Sequence, residues 1–317
     1  MTDPVIVADV GGTNTRVALA RDGTLDRAAL KRFRNAEFGS LDDVLRSYLE
    51  TRGPVAGACV ALAGPVRNGA AQMTNLGWHL TEEGLARATG APRACVALLN
   101  DLQAQGQALD GIDSAAMTVL RPGARDRGAA RLVIGFGTGV NAAPVQPLPD
   151  GRGWLVPATE AGHIHLPVAD DTDARLALWL AARRGYASVE DVLSGSGLER
   201  LHRFHTDPDE TRPPVRAEAI LRALEAGDPA AATTAEHYVR LMARYTATLA
   251  LAHLPFGGIC LIGGVARAIA PHAQRFGLAE AFGAMGRFSG FMEAFEIAVL
   301  NDDYAALQGC AAYLHRR

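Results

Sequence analysis

The sequence predicts an α/β fold made of two related halves, and three observations carry that expectation. The first is a pattern that occurs twice: an apolar run, a glycine turn and a second short run, starting at Val5 and again at Arg131. The second is that the intervening segments are rich in Ala and Leu and stop at Gly or Pro, as packed helices do. The third is size. A chain of 317 residues, 49% hydrophobic and 21% charged, has ordinary globular composition and material for two domains.

Taken in order, Val5 to Ala8 is an apolar run closed by Asp9 and by Gly11 and Gly12, so it reads as a buried strand entering a tight turn. Arg16 to Ala20 is strand-like, so the glycines join two strands of a hairpin. That placement excludes Walker A loops and dinucleotide fingerprints, which need a helix after their glycines to aim its N-terminus at phosphate. Lys31 is the only lysine among 31 basic residues and has no Gly-rich loop before it, which argues against Schiff-base chemistry and lysine-dependent phosphate binding. Ser40 with Asp43 opens a helix over Leu41 to Thr51, and Thr81 caps a segment that ends at Gly90.

Val96 to Leu99 is an apolar run that stops at Asn100 and Asp101, an amide and a carboxylate at a strand end, where α/β sheets collect ligands. Asp101 could equally be the N-cap of a helix over Leu102 to Leu109. Arg131 to Asn141 repeats the opening pattern with Gly135, Gly137 and Gly139, and Ala142 to Val145 returns as a strand. The two hairpin turns are expected to face one another across a cleft. Helices follow over Asp173 to Arg184, Pro214 to Ala226 and Pro229 to Leu254, and a strand, Ile259 to Ile262, enters a third glycine turn at Gly263 and Gly264.

A net charge of −3 and a pI near 6.3 advertise neither nucleic acid nor an anionic membrane surface, so a small molecule is the expected partner. Tyr245 to Ala266 carries no formal charge, but Pro255 and four glycines interrupt it, which suits a helix end, a turn and a core strand rather than a membrane span. Cys59, Cys95, Cys260 and Cys310 form no CxxC pair, and the first residues lack a basic, apolar leader; both point to a cytoplasmic protein. Glu160, Gly162 and His163 form E-A-G-H, and Glu190 precedes L-S-G-S-G-L. With Asn100 and Asp101, these hydrogen-bonding side chains suit a polyhydroxylated sugar. His163 and His165 could instead hold a metal from one face of a strand, although no Cys or further His stands nearby.

Together these residues resemble the bacterial glucokinases of the hexokinase, actin and heat-shock chaperone superfamily, outside the ROK branch. The likeness covers nearly the whole chain. It rests on ADVGGTN at Ala8 to Asn14, MTN at Met73 to Asn75 with Trp78, LND at Leu99 to Asp101 and GTG at Gly137 to Gly139. E-A-G-H, the E-D-V-L-S-G-S-G-L run at Glu190 to Leu198, IGG at Ile262 to Gly264 and a short polar segment at Asn301 complete it. The resemblance implies a duplicated ribonuclease-H-like (actin-like ATPase) fold with two lobes around a cleft: a small α/β domain over residues 1–109 and 301–317, and a large one over 110–300.

It further implies phosphorylation of glucose or a related hexose at the expense of ATP, with Asp101 as the general base. Asn75, Asn100, Asp101, Glu160, His163 and Glu190 would hold the sugar. ATP would lie on Ala8, Asp9, Val10, Gly11, Gly12, Thr13 and Asn14, on Gly137, Thr138 and Gly139, and near Gly263 and Gly264. Backbone N–H groups on glycine turns can cradle phosphate without a lysine. Mg2+ would be held mainly by phosphates and water, with Asp9 orienting the water shell, and a homodimer fits the resemblance.

This chain departs from the family pattern in two places. Many relatives have GTGLG where it has Gly139-Val140-Asn141, and ROK kinases carry a cysteine-rich zinc loop where it has Leu166-Pro167-Val168-Ala169, so no zinc is expected. Alternatives are a kinase for another hexose or an amino sugar, a sugar-sensing ROK-like regulator, for which no DNA-binding segment precedes Val5, and an actin-like or chaperone-like ATPase.

Overall fold

In the computed structural model, which describes residues 3–73, 76–151 and 153–317, the first apolar run is strand β1 (Val5–Val10) and returns antiparallel as β2 (Asn14–Arg21). Strand β3 (Thr24–Arg34) continues the meander to the sheet edge. On the other side of β1 lie β4 (Gly57–Leu62) and then β7 (Val96–Asn100), both parallel to it, so the sheet order is β3-β2-β1-β4-β7. A separate ribbon pairs β5 (Ala70–Met73) with β6 (Trp78–Thr81). Lys31 sits on the exposed edge strand over the ring of Phe33.

Both faces of this sheet are covered, which is why β1 reads as a continuous apolar run rather than an alternating one. Ile6, Ala8 and Val10 point to a core shared with Leu45, Tyr48 and Leu85 from the helices Leu41–Leu49 and Glu82–Thr89. Those helices start as expected: the Ser40 hydroxyl accepts from Asp43 N, Thr81 accepts from Gly84 N, and Gly90 closes the second with φ +73°. Val7 points the other way, to a core with Cys59, Ala61, Leu99 and the C-terminal helix Ala305–Arg316. That helix crosses the helix Asp101–Ala108 so closely that a Cβ on Gly309 would lie 1.6 Å from the Ala104 carbonyl oxygen.

The chain divides into two compact units: Met1–Asp113 with Leu148–Ala158 and Asp302–Arg317, and Ser114–Pro147 with Thr159–Asn301. Residues 148–158, which include the two-residue strand β11 (Trp154–Leu155), belong to the first because Gln103 and Gln107 donate to the carbonyls of Val156 and Trp154.

The second unit repeats the arrangement of the first. Strand β9 (Arg131–Phe136) turns back antiparallel as β10 (Val140–Pro147), and β12 (Ile259–Ile262) and β13 (Ile297–Leu300) follow in parallel. Strand β8 (Met117–Arg121) closes the edge antiparallel to β13, giving β10-β9-β12-β13-β8 within this unit. The run β2-β1-β4-β7 of one unit and β10-β9-β12-β13 of the other have the same order and directions, the duplication that the two glycine-turn patterns announce.

The core of the second unit is built on the helix Pro229–His253, whose Tyr238 and Tyr245 are fully buried. Two helix starts differ from the sequence expectation. The first runs Asp171–Arg184, two residues earlier than Asp173, because Asp170 accepts from Thr172 N and Asp173 N. The other runs Ala217–Glu225 rather than from Pro214, because Glu199 accepts the Ala217 N–H across the fold. No helix among the described residues is long and apolar enough to cross a membrane.

Replacing Gly309 by Ala is expected to force the two crossing helices apart, lowering stability by about 1–3 kcal/mol, the usual cost of overpacking. Chemical denaturation measures this, and an unchanged midpoint would show that the crossing can widen without strain.

Candidate active site

Strand register decides which polar residues meet. Val10 on β1 is level with Leu62 on β4, and Leu62 is level with Asn100 on β7, so the C-terminal ends of three parallel strands finish together. Asp9, the first glycine turn, Asn100 and Asp101 therefore occupy one edge of the first unit's sheet. Within Ala8 to Asn14, the side chains of Ala8 and Val10 are buried in the core, so these two residues can offer a ligand only backbone. Gly12 and Thr13 are exposed at the turn itself.

Asn35 braces that turn and was not among the residues singled out from sequence. It is buried, donates from Nδ2 to the Gly11 carbonyl (2.8 Å), and accepts the Thr15 hydroxyl (2.8 Å), while its own N–H donates to the Thr13 carbonyl (3.0 Å). The only signal in the chain is an amide at the end of an otherwise basic and apolar strand, R-F-R-N. That signal does not say what the amide touches.

At the end of β7 the structure separates the two readings of Asp101. The N-cap of the helix Asp101–Ala108 is Asn100, whose Oδ1 accepts from Leu102 N (3.0 Å) while Gln103 Oε1 accepts from Asn100 N (3.0 Å), a reciprocal capping box. Asn100 Nδ2 also donates to the Gly64 carbonyl (3.1 Å). Asp101 is the first helical residue, not the cap, and its Oδ1 accepts from Leu102 N (2.9 Å). Burial pushes its carboxyl up to about 6; the Leu102 N–H pulls the other way and the nearby negative charge of Asp9 adds to the rise. Burial likewise raises the Asp9 carboxyl, opposed by Arg16, whose guanidinium lies 3.6 Å away. Asp9 thus faces a cation, whereas Asp101 is opposed only by hydrogen bonds, and a carboxyl poised near 6 can take up a proton. Asn75 lies outside the described residues.

The second unit gathers its candidates at the matching edge. Gly135 is level with Ile262, so the turn after β9 and the turn after β12 finish side by side. Gly263 has φ +100°, and a Cβ there would lie 2.3 Å from the Phe136 carbonyl oxygen, so no other residue fits. Gly264 begins the helix Gly264–Ile269, and Gly195, at the start of the helix Gly195–Thr206, donates its N–H to the Gly137 carbonyl (2.8 Å). Thr138 and Gly139 are exposed at the turn. Glu190 is tied to the same turn, because its Oε2 accepts the Val140 N–H (2.8 Å) and lies 2.8 Å from where a Cβ on Gly139 would be.

Glu160 and His163 are exposed on the segment that follows. It bends into a short 3-10 turn, with His163 N donating to the Glu160 carbonyl, and Gly162 lies so close to β10 that a Cβ would meet the Val140 carbonyl oxygen at 1.8 Å. The glycine of E-A-G-H is thus a packing requirement. His165 turns its ring edge to Tyr186, and among the described residues no group of three His, Cys, Asp or Glu side chains is placed to hold a metal ion.

Comparison with known proteins places the chain in a family. The family model described as Glucokinase matches residues 6–317. The chain belongs to the glucokinase family. A glucokinase of Pseudomonas paraeruginosa is 32% identical over 98% of this chain and 92% of its own length, and one of Marinobacter nauticus is 30% identical over 98% and 96%. Among solved structures, the glucokinase of an Antarctic psychrotroph superposes with a TM-score of 0.87 at 29% identity, each chain fully covered. A ROK hexokinase from Thermus thermophilus, 21% identical, shares the fold with a TM-score of 0.71 over 98% of this chain and 97% of its own. The glucokinase-family chain therefore has the duplicated actin-like ATPase fold.

Asn35→Ala is expected to strand the Gly11 carbonyl and the Thr15 hydroxyl in a buried site and to cost about 2 kcal/mol or more. Urea unfolding measures the loss; a change within error would show that water replaces the amide.

Proposed function

We infer that the protein is an ATP-dependent glucokinase that transfers the γ-phosphoryl group of ATP to the 6-hydroxyl of glucose. Beyond family membership, the observation that carries this reading is Asp101: a carboxyl pushed up to about 6 by burial, at the same sheet edge as a glycine turn. A hydroxyl is a poor nucleophile until its proton has somewhere to go. Asp101 takes that proton as the oxygen attacks phosphorus, the bond to the bridging oxygen of ADP breaks, and ADP leaves.

In the first unit, Gly11, Gly12, Thr13 and Asn14 would offer backbone N–H groups to phosphate oxygens, and Asn75 and Asn100 would hold sugar hydroxyls beside the base. With its Oδ1 engaged in the cap and one Nδ2 hydrogen on Gly64, Asn100 would meet the sugar through the other Nδ2 hydrogen. In the second unit, Gly137, Thr138 and Gly139 would take phosphate, Gly263 and Gly264 the adenosine, and Glu160, His163 and Glu190 the sugar. Carboxylates accept from sugar hydroxyls in fixed directions, which is how such a site tells one hexose from its epimers. Mg2+ travelling on nucleotide phosphates needs only one or two protein carboxylates. Asp9 is the residue that would orient its water shell, and the charge of the ion would offset developing negative charge on the transferred phosphoryl group.

A coupled ADP-release assay with a panel of hexoses tests the reading directly. Turnover should require sugar and be fastest with glucose; ATP hydrolysis at the same rate with and without any hexose would refute it.

Asp101 must be ionised to act, so kcat should fall about tenfold per pH unit below about 6 and level off above it. Asp101→Asn is expected to lower kcat by roughly 10²–10⁴. The same variant should unfold at a higher temperature than wild type near pH 7. The raised carboxyl favours the folded state while protonated, and that contribution disappears as pH rises through the folded value, leaving a buried charge that the amide removes. A variant with normal kcat, or one no more stable at neutral pH, would return Asp101 to a structural role.

A further inference from the structure

Asn141 is the second residue of the returning strand β10, just past the second glycine turn, where the GTGLG pattern of the resemblance has its third glycine. Its side chain brackets Glu160. Nδ2 donates to the Thr159 carbonyl (2.6 Å), and Oδ1 accepts both the Ala161 N–H (2.9 Å) and the Thr159 hydroxyl (3.1 Å). The amide thus holds the residue before Glu160 and the residue after it, and leaves Glu160 itself exposed. The Thr159 hydroxyl also contacts the Ala142 carbonyl on the same strand.

The backbone at Glu160 needs such a hold. It has φ −123° and ψ 48°, outside the helical and extended regions, and its side chain makes no capping hydrogen bond to the turn that follows. Two features fix that conformation: the Asn141 amide, and the close seat of Gly162 on the Val140 carbonyl. Gly162 sets how near the segment lies to β10. The Asn141 amide, with the Thr159–Ala142 contact, sets where Thr159 and Ala161 sit along it, and directional hydrogen bonds on both sides restrict the orientation of the intervening residue.

We propose that Asn141 is a positioning residue for sugar recognition, a role that the glycine of the related turn cannot perform: it fixes the Glu160 carboxylate toward the hexose without touching the hexose itself. This rests on the reading of Glu160 as a sugar ligand. It also gives the departure Gly139-Val140-Asn141 a purpose distinct from phosphate binding, since the side-chain hydrogen bonds of Asn141 among the described residues go to the strand itself and to the Glu160 segment.

The test is calorimetric titration of the full-length protein with glucose in the absence of nucleotide, and separately with ADP. In Asn141→Ala, glucose binding should weaken about tenfold, from two or three lost hydrogen bonds, while ADP binding stays within about twofold. In a double-mutant cycle, Asn141→Ala added to Glu160→Ala should change glucose binding by no more than about twofold further, because the residue being positioned is gone. Should Asn141→Ala fail to fold, Asn141→Asp carries the test. It keeps the acceptor for Ala161, loses the donor to Thr159, and should show the same selective loss.

Equal weakening of glucose and ADP binding would assign Asn141 a general structural role and overturn the proposal, as would unchanged glucose binding or fully additive losses in the cycle. If wild-type protein binds and phosphorylates no hexose, the functional reading fails and the proposal falls with it. If wild type binds glucose and only the Asn141 predictions fail, the functional reading stands.

Discussion

Parallel strands in register end together, and everything chemical in this protein depends on that alignment. In the first unit β1, β4 and β7 finish level, which brings Asp9 and Asp101 to one edge although more than half of the first unit's sequence separates them. In the second, β9 and β12 finish level and set Gly137 beside Gly263. Backbone amides that have run out of sheet partners are available there for a ligand, and helices begin there with their positive ends outward. The register is in turn held by burial on both faces: a slip of one residue would exchange Ile6, Ala8 and Val10 for Val5, Val7 and Asp9, mispacking both cores and turning the Asp9 carboxylate into one of them.

Within that frame the structure spends stability on a charge. Asp101 sits at the first position of a helix, where a negative charge is ordinarily favoured, yet burial and Asp9 outweigh the helix and its N–H. The cap is supplied instead by Asn100, and the helix is anchored by Gln103, Gln107 and the close crossing at Gly309. A residue that does not have to stabilise its own helix is free to have its proton affinity set by its surroundings. This division of labour between adjacent residues suits a base better than a single side chain doing both.

Two asparagines perform related work in the two units. Asn35 ties the first glycine turn to the strand after it, and Asn141 ties the second hairpin to the segment carrying Glu160. An amide is apt for this because it donates and accepts in one plane and carries no charge. Neither turn has a lysine, and in the phosphate-binding role proposed for them glycine N–H groups would supply the polarity.

The chain by itself determined the duplicated hairpins, the helix caps at Ser40 and Thr81, and the motif residues at strand ends, because apolar period, glycine turns and capping are local and survive in one dimension. It left Asp101 open between cap and base, since both roles ask for the same residue after the same strand. The cap itself is local, an N-x-x-Q box from Asn100 to Gln103; only the tertiary structure decided that Asp101 is buried beside Asp9, because that burial is contributed by distant segments. The same holds for Asn35, for the start of the helix at Ala217 under Glu199, and for Asn141: each is an amide or N–H whose partner lies many residues away. Hydrogen bonds of that kind depend on distance and angle in three dimensions, and a sequence records the groups but not their separation.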